Sequence, residues 1–224
     1  TYRSASDVDH FGPTQTRELA QPGAGIQMEL TTADAAYTVA LVSSLSTDAE
    51  TTSRNVTTYD DRVKEVLRVP ISQGTPLAFE KRVVFRTSRD TDAPIAEAVA
   101  EMSALSEASL EDLIQEHCAA WDAAWQRADV AIEGDPETQH ALRFSLFHLL
   151  QLENAHDEDV SLGAKGLHGN GYQGKVFWDT EVYMLPFYLF TNPAAAKMLL
   201  EYRFRRLDAA RTNARAHDRA GAKF

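Results

Sequence analysis

A tryptophan next to a carboxylate, just after a glycine-rich loop, is where this sequence first suggests chemistry: Phe177-Trp178-Asp179-Thr180-Glu181. An indole packs on the apolar C–H face of a pyranose, and an ionised Asp accepts hydrogen bonds from two neighbouring hydroxyls. The same residues admit a plainer reading, with Trp178 in a core and Asp179 or Thr180 capping a helix. Just upstream, Gly163, Gly166, Gly169, Gly171 and Gly174 concentrate much of the chain's supply of 11 glycines in one loop, as close approach or unusual dihedrals require. Gly169-Asn170-Gly171-Tyr172-Gln173-Gly174 also matches the dinucleotide fingerprint G-x-G-x-x-G. That fingerprint needs a buried strand before it, and the polar run Asn154-Ala155-His156-Asp157-Glu158-Asp159 stands there instead. The nucleotide reading is therefore set aside. His148 and His168 read as structural histidines rather than catalysts, and neither a cofactor nor a metal is expected.

The bulk composition narrows the partners. With 22 Lys and Arg against 33 Asp and Glu, the 224-residue chain carries a net charge of −11, which repels a phosphate backbone and leaves a neutral sugar indifferent. No nucleic-acid partner is expected. The single cysteine, Cys118, allows no internal disulfide, so a reducing cytoplasm is the expected location. No apolar run approaches the roughly 20 residues that span a bilayer, and Thr1-Tyr2-Arg3-Ser4 opens no signal-peptide core. The chain begins without Met and stops at Ala222-Lys223-Phe224, which reads as cut at both ends.

The elements that must position residues 177–181 fall into two parts. From about Ile26 to Arg86 the apolar residues recur with period two, as in Leu77, Phe79, Val83 and Phe85 against Glu80, Arg82 and Arg86. Residues 37–45 and 56–69 are rich in β-branched side chains, and turn formers stand at Thr31-Thr32-Ala33-Asp34 and Ser72-Gln73-Gly74-Thr75-Pro76. An antiparallel sheet, half of a sandwich, is expected. After about residue 92 the period becomes helical. Ser109 caps a helix whose face carries Leu110, Leu113, Ile114, His117, Trp121 and Trp125, with both tryptophans read as packing residues. Asp135-Pro136 opens a helix that is apolar on more than one face and should be buried among others. Residues 177–190 read as a helix interrupted near Pro186, and Asn192-Pro193 starts a long helix from 194 to about 216.

The stretch from Gly163 through Gly174 to Glu181, with Ala141-Leu142-Arg143-Phe144 and Phe147-His148-Leu149-Leu150-Gln151 upstream, resembles glycoside hydrolase family 65, which includes maltose, trehalose, kojibiose and nigerose phosphorylases. The likeness is weak before Thr87 and strong from Glu133 to Phe224. It implies an α+β chain: the end of an antiparallel β-sandwich (1–90), a helical linker (91–130) and the first helices of an (α/α)₆ barrel (131–224). It further implies an inverting attack on an α-linked glucose disaccharide, by inorganic phosphate as co-substrate or by activated water, with a general-acid Glu expected after Phe224. On that basis the chain alone should not turn over substrate, and remaining segments of the same polypeptide, in a homodimer, should complete it. Trp178 and Asp179 would line the pocket for the non-reducing glucose, with Phe177, Glu181 and Tyr172 as weaker candidates. For Glu181 an ion pair with Lys165 or Lys175 is the alternative. A non-catalytic carbohydrate-binding or scaffolding relative is the competing function.

Overall fold

The computed structural model describes residues 11–18, 25–33, 37–168 and 171–224. Asp34 of the first expected turn, and Gly169 and Asn170 of the glycine loop, lie outside the described residues. The chain divides into two units, Thr1–Leu113 and Ile114–Phe224.

In the first unit, strands β1 (Phe11–Glu18), β2 (Ile26–Thr32), β3 (Thr38–Thr47) and β6 (Phe79–Thr87) form an antiparallel sheet in the order β1-β2-β3-β6. The β-branched run 56–69 resolves into a separate hairpin of β4 (Ser53–Thr58) and β5 (Val63–Arg68), closed where the Tyr59 N–H donates to the Arg62 carbonyl. Arg54 pairs with Glu65 at 2.6 Å and donates to the Gly25 carbonyl, tying this hairpin to the start of β2. Gly25 cannot carry a side chain: φ is +95°, and a Cβ there would stand 1.9 Å from the Ser43 carbonyl oxygen.

Helix α1 (Pro94–Leu105) covers one face of the sheet, where Ala40, Val42, Val84, Ala98 and Met102 make the core. The strand spacing expected for β6 is correct, but α1 lies on the phase that carries the charges. Arg82 donates to the carbonyls of Leu105 and Ala108, and Arg86 pairs with Glu101 at 2.5 Å. Arg82 thus meets a carbonyl at the C-terminal end of α1 and one in the turn after it, and Arg86 is matched by a carboxylate of α1, which allows arginines on a packed face. Phe79, Val83 and Phe85, the apolar phase, are exposed.

In the second unit the described elements are helical. Ser109 caps α2 (Leu110–Ala128) in a reciprocal box, accepting from the Asp112 N–H and donating to its carboxylate at 2.6 Å. Trp121 stacks on Phe147 with ring centroids 5.1 Å apart, as packing predicts. Asp135 caps α3 (Pro136–Leu150), accepting from the N–H and hydroxyl of Thr138. Only part of the expected burial of α3 is realised: Leu146 and Leu150 are buried, whereas Phe144 is exposed, because α2 and residues 149–188 pack on only some of its faces. Helices α4 (Leu185–Thr191) and α5 (Pro193–Arg205) meet at Asn192, whose side chain accepts from the Ala195 N–H.

The long helix expected from 194 to 216 is two helices, α5 and α6 (Leu207–Ala216). Arg206 makes the break. Its N–H bonds Arg203, three residues back, and its guanidinium donates to the Tyr202 carbonyl and to the Asp159 carbonyl. The side chain thus meets the acceptor that the interrupted helix leaves free.

Candidate functional site

The wall at residues 177–181 stands on the core built by α4 and α5. Leu162, Tyr188, Ala195, Ala196 and Leu199 are buried together, with Leu152, Met184, Leu185 and Phe187 packed against them. Tyr188 is 1% exposed and donates from its hydroxyl to the Leu149 carbonyl at 2.7 Å. Burial, and secondarily the charge of Glu153, push its phenol far above the ordinary range. Thr180 is fully buried, and its hydroxyl donates to the Leu162 carbonyl at 2.9 Å, fastening the segment to the start of the glycine loop.

Residues Thr180–Met184 form one π-helical turn, in which the Leu185 N–H reaches back five residues to Thr180. The interruption expected at Pro186 is therefore this widened turn. Proline has no N–H to donate to residue 182 and its ring needs room there, and a π turn supplies both.

Trp178 is 67% exposed, and among the described residues its aromatic neighbour is Tyr183, with ring centroids 6.3 Å apart. Asp179 has helical φ and ψ and its carboxylate caps no backbone N–H. Thr180 spends its hydroxyl on Leu162 rather than on a cap. Within this chain, then, Trp178 is not enclosed, and neither Asp179 nor Thr180 caps a backbone N–H.

The weaker candidates are distributed differently. Glu181 is held bidentately by Arg203, at 2.7 Å from Nε and 3.0 Å from Nη2, with side chains 27% and 18% exposed. Neither Lys165 nor Lys175 is its partner; Lys165 lies over the Tyr172 ring, 5.9 Å from its centroid. Arg203 Nη2 also donates to the Phe177 carbonyl at 2.9 Å, so one guanidinium grips the chain on both sides of Trp178 and Asp179. Tyr172 has φ +62° and meets Phe177 edge to face at 5.4 Å, forming an aromatic corner before Trp178. Nothing in the local spacing points to Arg203, which lies 22 residues from Glu181 and arrives only because α5 folds back along this segment.

A cleft of about 690 Å³ opens behind Phe177, lined by Lys175, Tyr202, Arg203, Arg206 and Asn213 among others. Trp178 and Asp179 are not among its lining residues, so the cleft and the exposed wall are separate surfaces.

Comparison with known proteins fits this geometry. The model of the glycosyl hydrolase family 65 N-terminal domain matches residues 2–124, more than half of the chain, and that of the family's central catalytic domain matches residues 143–224. The chain belongs to glycosyl hydrolase family 65. Among family 65 relatives, the kojibiose phosphorylase of Caldanaerobacter subterraneus subsp. tengcongensis is 45% identical over 147 residues, covering 65% of this chain and 19% of that protein. The alpha,alpha-trehalose phosphorylase of Thermoanaerobacter brockii is 37% identical over 167 residues, covering 74% and 21%. The kojibiose phosphorylase of Escherichia coli (strain K12) is 31% identical over 220 residues, covering 96% and 29%. A solved structure from the human microbiome, of a protein assigned as a kojibiose phosphorylase, superposes with a TM-score of 0.79 at 25% identity, over 95% of this chain and 28% of that one. The chain thus spans between about a fifth and three tenths of the length of these relatives.

Proposed function

We propose that this chain is part of an inverting phosphorylase of an α-linked glucose disaccharide, in which Trp178 and Asp179 form one wall of the pocket for the non-reducing glucose. The observation that carries the reading is the pairing of an exposed indole with an uncommitted carboxylate on a segment anchored from behind by Thr180 and Arg203. The indole would cover the apolar face of the ring while Asp179 accepts from adjacent hydroxyls, both held without further ordering on binding. Tyr172 and Phe177 would extend the apolar wall, and Glu181 would act through Arg203 rather than on the sugar.

In the proposed reaction an oxygen of inorganic phosphate attacks the anomeric carbon from the face opposite the departing sugar. The glycosidic C–O bond breaks, the leaving oxygen takes a proton from an acid, and the products are β-glucose 1-phosphate and a free sugar. We assign no residue of 1–224 as that acid. The relatives that are kojibiose, trehalose and nigerose phosphorylases favour phosphate over water as the acceptor.

The finer architecture belongs to the same proposal: residues 1–90 as the end of a β-sandwich, 91–130 as a linker and 131–224 as the start of an (α/α)₆ barrel. The bare apolar sheet face of Phe79, Val83 and Phe85 supports the sandwich, and Phe190, 89% exposed, with exposed Phe144 and Phe204, supports further helices around the second unit.

The test is to incubate the polypeptide that carries this chain with kojibiose, trehalose, nigerose and maltose, with and without phosphate, and to assay β-glucose 1-phosphate. Phosphate-dependent release from one of them is expected. Asp179→Asn should lower kcat/KM on that substrate at least about tenfold by weakening a charged acceptor. Equal glucose release with and without phosphate, or unchanged kinetics in the variant, would overturn the corresponding part of the proposal.

A further inference from the structure

Away from the wall, three nitrogens crowd together at the end of α3. His148 Nδ1 stands 2.7 Å from His168 Nε2, and Gln151 Nε2 stands 2.7 Å from the first and 3.2 Å from the second. His148 and Gln151 are three residues apart at the C-terminal end of α3, hence on one face, and His168 comes from the turn that follows Gly163. The ring of Phe144 meets His148 edge-on at 4.4 Å and that of Phe147 at 5.3 Å, which fixes the orientation of the imidazole.

Hydrogen bonds alone cannot satisfy this triangle. Each edge needs one donor and one acceptor, and each imidazole nitrogen is one or the other, because it has a single N–H or a single lone pair. The amide nitrogen only donates. If both rings accept from it, two lone pairs face each other across 2.7 Å. If His168 donates to His148, the amide and His168 face each other as two donors. Turning the amide so that its oxygen points inward, an equivalent choice of side-chain orientation, makes that corner an acceptor and only moves the conflict. A ring of three members, each in one of two states, always leaves one edge mismatched.

A cation removes the conflict, because all three corners can then present lone pairs to it: two neutral imidazole nitrogens and the amide oxygen. A tetrahedral ion such as zinc would hold ligands about 2.1 Å away at about 3.4 Å from one another, whereas ligands at right angles on a six-coordinate ion stand about 3.0 Å apart. The three observed separations, 2.7, 2.7 and 3.2 Å, bracket that spacing. We propose that His148, Gln151 and His168 form one face of a binding site for a six-coordinate divalent transition-metal ion of the class that prefers imidazole, such as nickel, with water at the remaining positions. This departs from the metal-free expectation drawn from the sequence. Among the described residues no group of three His, Cys, Asp or Glu side chains is placed to hold a metal, so the amide is the third ligand and the affinity is moderate. Magnesium and calcium, which select oxygen ligands, are poor occupants. Bound metal would pin the turn before the glycine loop to the end of α3. The inference does not depend on the proposed activity.

The test is calorimetric titration of the chelator-treated polypeptide that carries this chain with nickel chloride, with magnesium chloride for comparison, alongside His168→Ala and His168→Cys. His168 is exposed in a turn, so its replacement should leave the fold intact, which far-UV circular dichroism checks. One equivalent of nickel should bind with a Kd below about 100 μM, His168→Ala should weaken it at least about fivefold, and His168→Cys should restore binding. Binding weaker than that, or a loss smaller than fivefold in His168→Ala, overturns the site. So does magnesium binding as tight as nickel.

Discussion

Breaking the Arg203–Glu181 pair tests whether the proposed sugar wall is held from behind. The pair is bidentate, its side chains are 18% and 27% exposed, and Arg203 makes a third bond to the Phe177 carbonyl. Exposed pairs contribute about 0–1 kcal/mol, whereas removing one partner of a fully buried pair costs about 3–5 kcal/mol. Three-quarters burial places Arg203→Ala between them, at about 2 kcal/mol, since it strands a largely buried carboxylate and frees a carbonyl. Glu181→Gln should cost less, about 1 kcal/mol, because the amide oxygen still accepts one bond and Phe177 keeps its donor. The double variant should then show a coupling of about 1 kcal/mol. Urea unfolding followed by tryptophan fluorescence reads this unit cleanly, because Trp121, Trp125 and Trp178 all lie within Ile114–Phe224. At a slope of about 1–3 kcal/mol per molar urea, Arg203→Ala should lower the midpoint by about 1 M. Raising the salt to 1 M should leave most of that difference, since burial protects the pair from screening. A midpoint shift below about 0.3 M, or one that salt abolishes, would refute the clamp.

Three further outcomes follow from the same physics. Thr180→Val keeps the shape of a fully buried side chain but orphans the Leu162 carbonyl, so it should destabilise by about 1–2 kcal/mol in thermal unfolding; a neutral result would mean the hydroxyl bond is not needed. Tyr188 is protonated in the fold well beyond its unfolded pKa of about 10, so the native state binds the extra proton. The stability it contributes is whole below that pH and falls as pH rises above it, and Tyr188→Phe should flatten the alkaline side of the stability profile. Asp135 is held below its ordinary pKa by the Thr138 hydroxyl and then by the Thr138 N–H. Its contribution is present above about pH 4 and lost as pH falls through the depressed folded value, so Asp135→Asn should reduce the acid dependence of the melting temperature; an unchanged dependence would remove the cap from the account.

The glycoside character of the chain was legible in its residues because it resides in contiguous stretches: the glycine loop, Phe177 to Glu181, and the start of α3. Helix starts were legible for the same reason. Ser109, Asp135 and Asn192 each act within three residues of themselves, and all three cap as their spacing predicts. The register of β6 was legible as a period, but not which phase α1 would cover, because that depends on Arg82 and Arg86 reaching carbonyl and carboxylate groups on another element. The break at Arg206 likewise depends on Asp159, 47 residues away.

At the wall, the sequence determined which chemistry was on offer, an indole beside a carboxylate, and left open whether either was spent on packing or capping. Tertiary structure decided that. Thr180 turns inward to Leu162, Trp178 is left exposed, and Arg203 pairs with Glu181. The Thr180 and Arg203 contacts join residues 18 and 22 positions apart, and only the folded backbone brings such partners within reach.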